Sequence, residues 1–155
     1  MYAVTIETLR MFGLGVALVC TLPVLPVSAE ADHLTIEPGQ WKITSNTVKN
    51  GATKPPTVAT RCITPKQSGD ISRTFGSVTG ILNSSCAPTQ YETTGRKFTW
   101  HLQCKGGLNL DILGIFNFDT RSHYTATVTT KGWLAGELTD MKTEIEGARV
   151  GACPR

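Results

Sequence analysis

The sequence predicts an all-β fold: a single antiparallel meander of about seven strands, curled into an open barrel or a sandwich, with one short helix after Cys62. Three observations carry this. Beyond residue 29 the chain is rich in threonine, 20 of 126 residues, and a β-branched side chain favours strands over helix interiors. Apolar and polar residues alternate through most segments, the period of a half-buried strand. Turn residues punctuate that alternation about every 8 to 12 positions.

The N-terminus reads as an address. Residues 11–22 are almost wholly apolar and follow Arg10. Pro23 and Pro26 then break any helix, and Val27-Ser28-Ala29 places short residues at −3 and −1. This is the form of a cleavable secretory signal over residues 1–29, cut between Ala29 and Glu30. The apolar run is too short to span a bilayer comfortably. Cys20 follows Val19, where lipoprotein processing wants a small residue, so a lipid anchor is not expected. A single domain over residues 30–155 remains, long enough to close one core. The expected location is the periplasm, with no transmembrane anchor after cleavage.

From Gln40 to Val48 and from Thr57 to Ile63 two strands make a hairpin across Asn50-Gly51 and Pro55-Pro56. Thr64-Pro65-Lys66-Gln67 is a capping box with proline at the first helical position, the start of the short helix. Gly69 limits it, and a Ser/Gly-rich stretch to Ser85 is the expected mobile part. In residues 96–104, Phe98, Trp100, Leu102 and Cys104 point one way and Lys97, Thr99, His101 and Gln103 the other. Thr94-Gly95 is read as the two-residue turn before this strand, pairing it with residues 90–93. After Gly106-Gly107, Leu108, Leu110, Ile112, Phe116 and Phe118 share one face, with Gly114 in phase as a bulge or bend. Leu113 and Ile115 imply partial cover on the other face. Asp119 to Ser122 is a turn, residues 123–130 a strand, and residues 132–136 a loop holding Trp133. The last strand, residues 138–150, turns Met141, Thr143 and Ile145 inward and Lys142, Glu144 and Glu146 outward.

Cys62, Cys86, Cys104 and Cys153 follow the signal at gaps of 24, 18 and 49 positions. An even number in an exported chain reads as two disulfides. No gap has metal-ligand or redox C-x-x-C spacing. Three connectivities are open. With a Thr94-Gly95 turn, residue 98 faces 91, residue 100 faces 89 and residue 102 faces 87, so Cys86 points away from Cys104. That register favours Cys62–Cys86 with Cys104–Cys153. A three-residue turn would restore Cys86–Cys104.

Pro38-Gly39-x-Trp41, Arg61-Cys62-Ile63-Thr64-Pro65, Cys86, Tyr91, Gly95, Thr99-Trp100, Cys104, residues 141–147, Arg149, Gly151 and Cys153 stand in an order that resembles the exported proteobacterial domain-of-unknown-function family 3617 (DUF3617). The resemblance spans nearly the whole chain after the signal. It implies a periplasmic all-β domain and carries over no activity and no catalytic residue. Gly39-Gln40-Trp41 on the first strand with Arg149 on the last also resembles the two ends of a lipocalin barrel, where the arginine packs on the tryptophan in a cation–π contact. The plainer reading is that Gly39, Trp41 and Arg149 seal one end of a filled core.

Net charge is +3, scattered rather than clustered, which argues against nucleic acid. His33 lies near the new N-terminus, and His101 and His123 fall on outward phases; their spacing announces no metal. Asp111 and Asp119 are eight apart on one strand, about 26 Å, too far for a two-carboxylate mechanism. Ser84 and Ser85 lack a nucleophile-elbow context, and Asn83-Ser84-Ser85 is a chance sequon. No cofactor, metal or catalytic set is expected. Two classes of function remain. One is a non-catalytic binding or envelope accessory module whose partner is an envelope protein. The other is a small lipocalin-like barrel that carries an apolar small molecule.

Overall fold

A computed structural model describes residues 33–76, 85–106, 108–134 and 136–154. The signal segment with its Ala29/Glu30 junction, Cys20, Asn83, Ser84 and residues 77–84 of the Ser/Gly-rich stretch lie outside the described residues. The alternating segments are strands: β1 (Gly39–Lys49), β2 (Ala52–Thr53), β3 (Thr57–Ile63), β4 (Ser85–Thr94), β5 (Lys97–Lys105), β6 (Leu108–Thr120), β7 (His123–Leu134) and β8 (Glu137–Gly151). All pair antiparallel in one sheet of eight strands, ordered β2-β1-β8-β7-β6-β5-β4. β3 runs along the Gly39–Ser45 part of β1, on the edge where β2 meets Val48 and Lys49. The sheet does not close, so β3 and β4 are left as its two edges.

Between those edges, in sequence and in space, lie α1 (Pro65–Ser68) and α2 (Ile71–Phe75). The capping box at the start of α1 forms as its sequence requires. Thr64 Oγ1 accepts from the Gln67 amide, and Gln67 Oε1 accepts from the Thr64 amide at 2.9 Å. The sequence reading missed α2, whose signal is Asp70: its carboxylate accepts from the Arg73 amide at 3.0 Å. The helical segment is bonded to both edge strands. Arg61 of β3 donates to the Thr74 carbonyl at 3.5 Å, and the Tyr91 hydroxyl of β4 donates to the Gly76 carbonyl at 2.8 Å. Phe75 of α2 enters the core, with its ring 5.1–5.4 Å from those of Phe116, Phe118 and Tyr124. This is how the open sheet covers the side between its two edges.

One face of the sheet carries the core. Trp41, Phe98, Trp100, Leu102, Leu110, Ile112, Phe116, Phe118, Tyr124 and Ala126 are buried there with Ile36, Ile63 and Ile71. Gly114 is in phase with them, but no bulge or bend interrupts the pairing at that point: Trp100, Gly114 and Val128 face one another in continuous register. The glycine instead seats the Trp100 indole, which occupies the space a Cβ would need. Gly147 seats the Tyr124 ring in the same way.

The β4–β5 hairpin corrects two expectations. Its two-residue turn is Gly95-Arg96, with Thr94 opposite Lys97, rather than Thr94-Gly95. Tyr91 therefore faces Trp100, on the apolar side as expected, and stacks on Phe98. The register then slips by one between Gln90↔His101 and Pro88↔Leu102, a bulge at Thr89. An inserted residue flips every side chain beyond it to the other face, so Cys86 comes to lie opposite Cys104. The pairing Cys62–Cys86 with Cys104–Cys153 is thus incorrect. The bridges are Cys86–Cys104, directly across the hairpin with Cα atoms 3.9 Å apart, and Cys62–Cys153, with Cα atoms 5.5 Å apart. Further along, β7 runs on through Trp133 to Leu134, paired with β6 and β8. The expected loop at residues 132–136 shrinks to the hairpin tip.

Candidate functional site

The side chains without a core role gather on the opposite, outer face of the sheet, where period-two alternation places them in rows. Gln103 of β5, Asp111 of β6, Lys131 of β7 and Asp140 of β8 form one row through the register of four neighbouring strands. Asn109, Trp133 and Leu138 form the next. Gln103, Asp111 and Lys131 of the first row, Asn109 and Trp133 of the second, and Lys105 bound a cleft of about 360 Å³ over the ends of β5, β6 and β7, which Cys104, Leu110 and Gly132 also line. Trp133 stands beside it 52% exposed, whereas Trp41 and Trp100 are buried.

Asp111 is held in the cleft wall by a relay. His101 Nε2 donates to Asp111 Oδ2 at 2.9 Å, which leaves Nδ1 facing the Thr89 hydroxyl at 2.8 Å. Thr89 reaches the ring because it is the bulged residue of β4. Lys131 pairs with Asp140 at 3.8 Å. Among the described residues, the Gln103 and Asn109 amides and the Lys105 ammonium have no side-chain partner.

His123 sits in a second exposed cluster, between Asp119 at 2.8 Å from Nδ1 and Glu146 at 3.1 Å from Nε2. With a carboxylate on each nitrogen, both N–H groups are used and the cation is favoured. Asp119 first, then Glu146, raise the His123 pKa above the usual imidazole value, and the same contact holds the Asp119 carboxyl below its own. Since the folded value is the raised one, this stabilisation is fully present below the unfolded imidazole value, about 6.5. It is lost as pH rises through the higher folded value. The difference in urea midpoint between the wild type and His123→Gln should therefore be larger at pH 5.5 than at pH 8.5. A difference that does not change with pH would contradict the assignment.

The structure keeps the sequence-selected residues in separate places. Asp111 and Asp119 each serve a different histidine. His33 joins neither pair and lies with Leu34 beside the Gly69–Ser72 segment. Gly39, Trp41 and Arg149 do meet at one end of the core. Arg149 Nε, however, donates to the Pro38 carbonyl at 2.9 Å and approaches Glu37 at 3.6 Å, and the Trp41 indole donates to the Glu37 carbonyl at 3.1 Å. The arginine therefore closes over the Glu37–Gly39 backbone. Ser85 begins the edge strand β4. Among the described residues no group of three His, Cys, Asp or Glu side chains converges to hold a metal ion. No helix there is long and apolar enough to cross a membrane.

Sequence reasoning missed the cleft, with Trp133, Asn109, Lys105 and Lys131. The signal was present: Thr127, Thr129, Lys131 and Trp133 continue one outward phase, and reading Gly132 as a loop residue broke it. No curated protein and no solved structure significantly matches the chain. The family model described as "Protein of unknown function (DUF3617)" matches residues 36–153, and the chain belongs to that family.

Proposed function

We propose that the protein is exported to the bacterial envelope and acts there as a non-catalytic binding module, meeting its ligand or partner on the outer face of the sheet. The observation that carries this is the division of labour between the two faces. The inner face spends its aromatic side chains on filling the domain under α2, while the outer face holds the cleft and its unpartnered polar groups. Two disulfides support an oxidising compartment, as does the signal-like N-terminus. His101 and His123 support a binding role, since each is oriented by a carboxylate into a fixed surface position.

A second reading, carriage on the inner face of a mainly apolar molecule that brings a hydrogen-bond acceptor, rests on one observation: Trp100 Nε1 is buried without a partner among the described residues, and an acceptor there would relieve a cost of about 1–3 kcal/mol. One experiment separates the two: native mass spectrometry of protein purified from the periplasm. The binding-module reading expects a mature chain beginning at Glu30 and no bound lipid. A stoichiometric lipid would favour the carrier. A chain still beginning at Met1 would refute export.

A further inference from the structure

Resting on the outer-face reading, we infer that the cleft beside Trp133 binds a short pyranose glycan, and an acidic one in preference to a neutral one. A pyranose offers a C–H face and a fringe of hydroxyl groups in adjacent pairs. It is recognised by an exposed aromatic ring under the first and by planar amide or carboxylate groups against the second, since each hydroxyl both donates and accepts. The cleft supplies both. Trp133 presents an exposed ring at one wall. Asn109 lies opposite it in register, and Gln103 and Asp111 face each other one row away. Neighbouring strands are about 4.8 Å apart and two residues along a strand span about 6.8 Å, so Asn109 stands one strand from the tryptophan while Asp111 and Gln103 lie about 8 and about 12 Å from it, the reach of a short oligosaccharide rather than of one ring.

The groups are also prepared for such a ligand. Asp111 is oriented by His101, which is in turn met by Thr89, and keeps Oδ1 available. The amides of Gln103 and Asn109 have no partner among the described residues and give up no internal bond on binding. A volume of about 360 Å³ lies within the range of small-molecule sites, roughly 300–1,000 Å³.

Charge decides the subclass. Among the residues that line the cleft two lysines, Lys105 and Lys131, stand against one carboxylate, Asp111, and Lys105 at the rim has no partner among the described residues. It favours a carboxylate or phosphate substituent on the sugar. An apolar ligand is disfavoured, because Trp133 is the one exposed apolar side chain among the lining residues.

The test is calorimetric titration of the disulfide-bonded protein with trigalacturonate and with neutral maltotriose, alongside tryptophan emission. Trp133 is the exposed member of three tryptophans, so its environment should dominate any shift. Saturable binding of trigalacturonate is expected, and weaker binding of maltotriose. Trp133→Ala should lose more than about tenfold in affinity, as removal of a central aromatic contact does. Asn109→Ala should weaken both sugars, and Lys105→Gln should abolish the preference for the acid. Unchanged melting temperatures in these surface variants would show that the fold is intact. No saturable binding of either sugar would overturn the inference, as would a Trp133→Ala variant that binds like the wild type. An emission shift produced by phosphatidylglycerol vesicles but by neither sugar would assign the tip to a lipid surface instead. A protein partner mapping to the outer face without sugar binding would end this inference and leave the binding-module reading standing.

Discussion

Replacing Cys62 and Cys153 by serine should cost about 4–5 kcal/mol of folding stability, against about 3 kcal/mol for the Cys86/Cys104 pair. The two bridges close very different lengths of chain, with sequence separations of 91 and 18. Cross-linking removes more unfolded-state entropy the longer the loop it closes. Position adds to the difference. Gln40 of β1 lies between Cys62 of β3 and Gly151 of β8, so the first bridge passes the end of β1 and straps an edge strand to the C-terminus. The second joins two strands that already share a hairpin. Urea unfolding of the two double-serine variants, in matched buffer, gives the order directly. Equal losses would mean that the long bridge adds nothing beyond the local one. A non-reducing peptide map checks the pairing itself, and a Cys62–Cys86 peptide would contradict it.

The route to that pairing shows what alternation does and does not encode. The inward set Phe98, Trp100, Leu102 and Cys104 was legible because one face is apolar and the other is not, and all four are buried. The inward phase of Tyr91 was legible for the same reason. What was not legible is the residue inserted at Thr89. Alternation on each side of a bulge is perfect, and only a partner strand reveals that the two stretches differ by one. Pro88 was a local hint, since a residue without an N–H belongs on an edge strand or at a bulge. The same blindness hid the cleft. Its members sit on β5, β6 and β7, up to 30 positions apart from Gln103 to Trp133, and they meet only through strand register. The relay Thr89–His101–Asp111 likewise depends on the bulge and on two registers at once. By contrast the capping box at Thr64 was legible in full, because all its parts lie within four residues. α2 has a cap of similar quality at Asp70, but one turn of helix carries too little periodicity to stand out.

Gly114→Ala should destabilise the domain by about 1–3 kcal/mol, the cost of overpacking a filled core, although alanine is a milder strand residue than glycine. The reason is the seat beneath Trp100. A Cβ at residue 114 would overlap the six-membered ring and Nε1 of the indole, and Trp100 is 3% exposed, with Leu102 and Ile112 buried in the same cluster. The backbone of β6 cannot retreat easily, because residues 110–117 are paired on both sides. Trp100→Ala alone should cost about 3–5 kcal/mol through the cavity it leaves. The informative measurement is the cycle. Once the indole is gone, Gly114→Ala has nothing to strike, and its methyl group begins to fill the vacated space. The double variant should then be more stable than the sum of the two single losses predicts, by about 1–3 kcal/mol of coupling. Gly51→Ala serves as a control of another kind: no atom lies within 4 Å of its would-be Cβ, and its φ of +79° makes the cost conformational, so it should add independently to Trp100→Ala. If Gly114→Ala and Trp100→Ala also prove additive in urea unfolding, the glycine is not a seat for the tryptophan, and its place in the middle of β6 needs another cause.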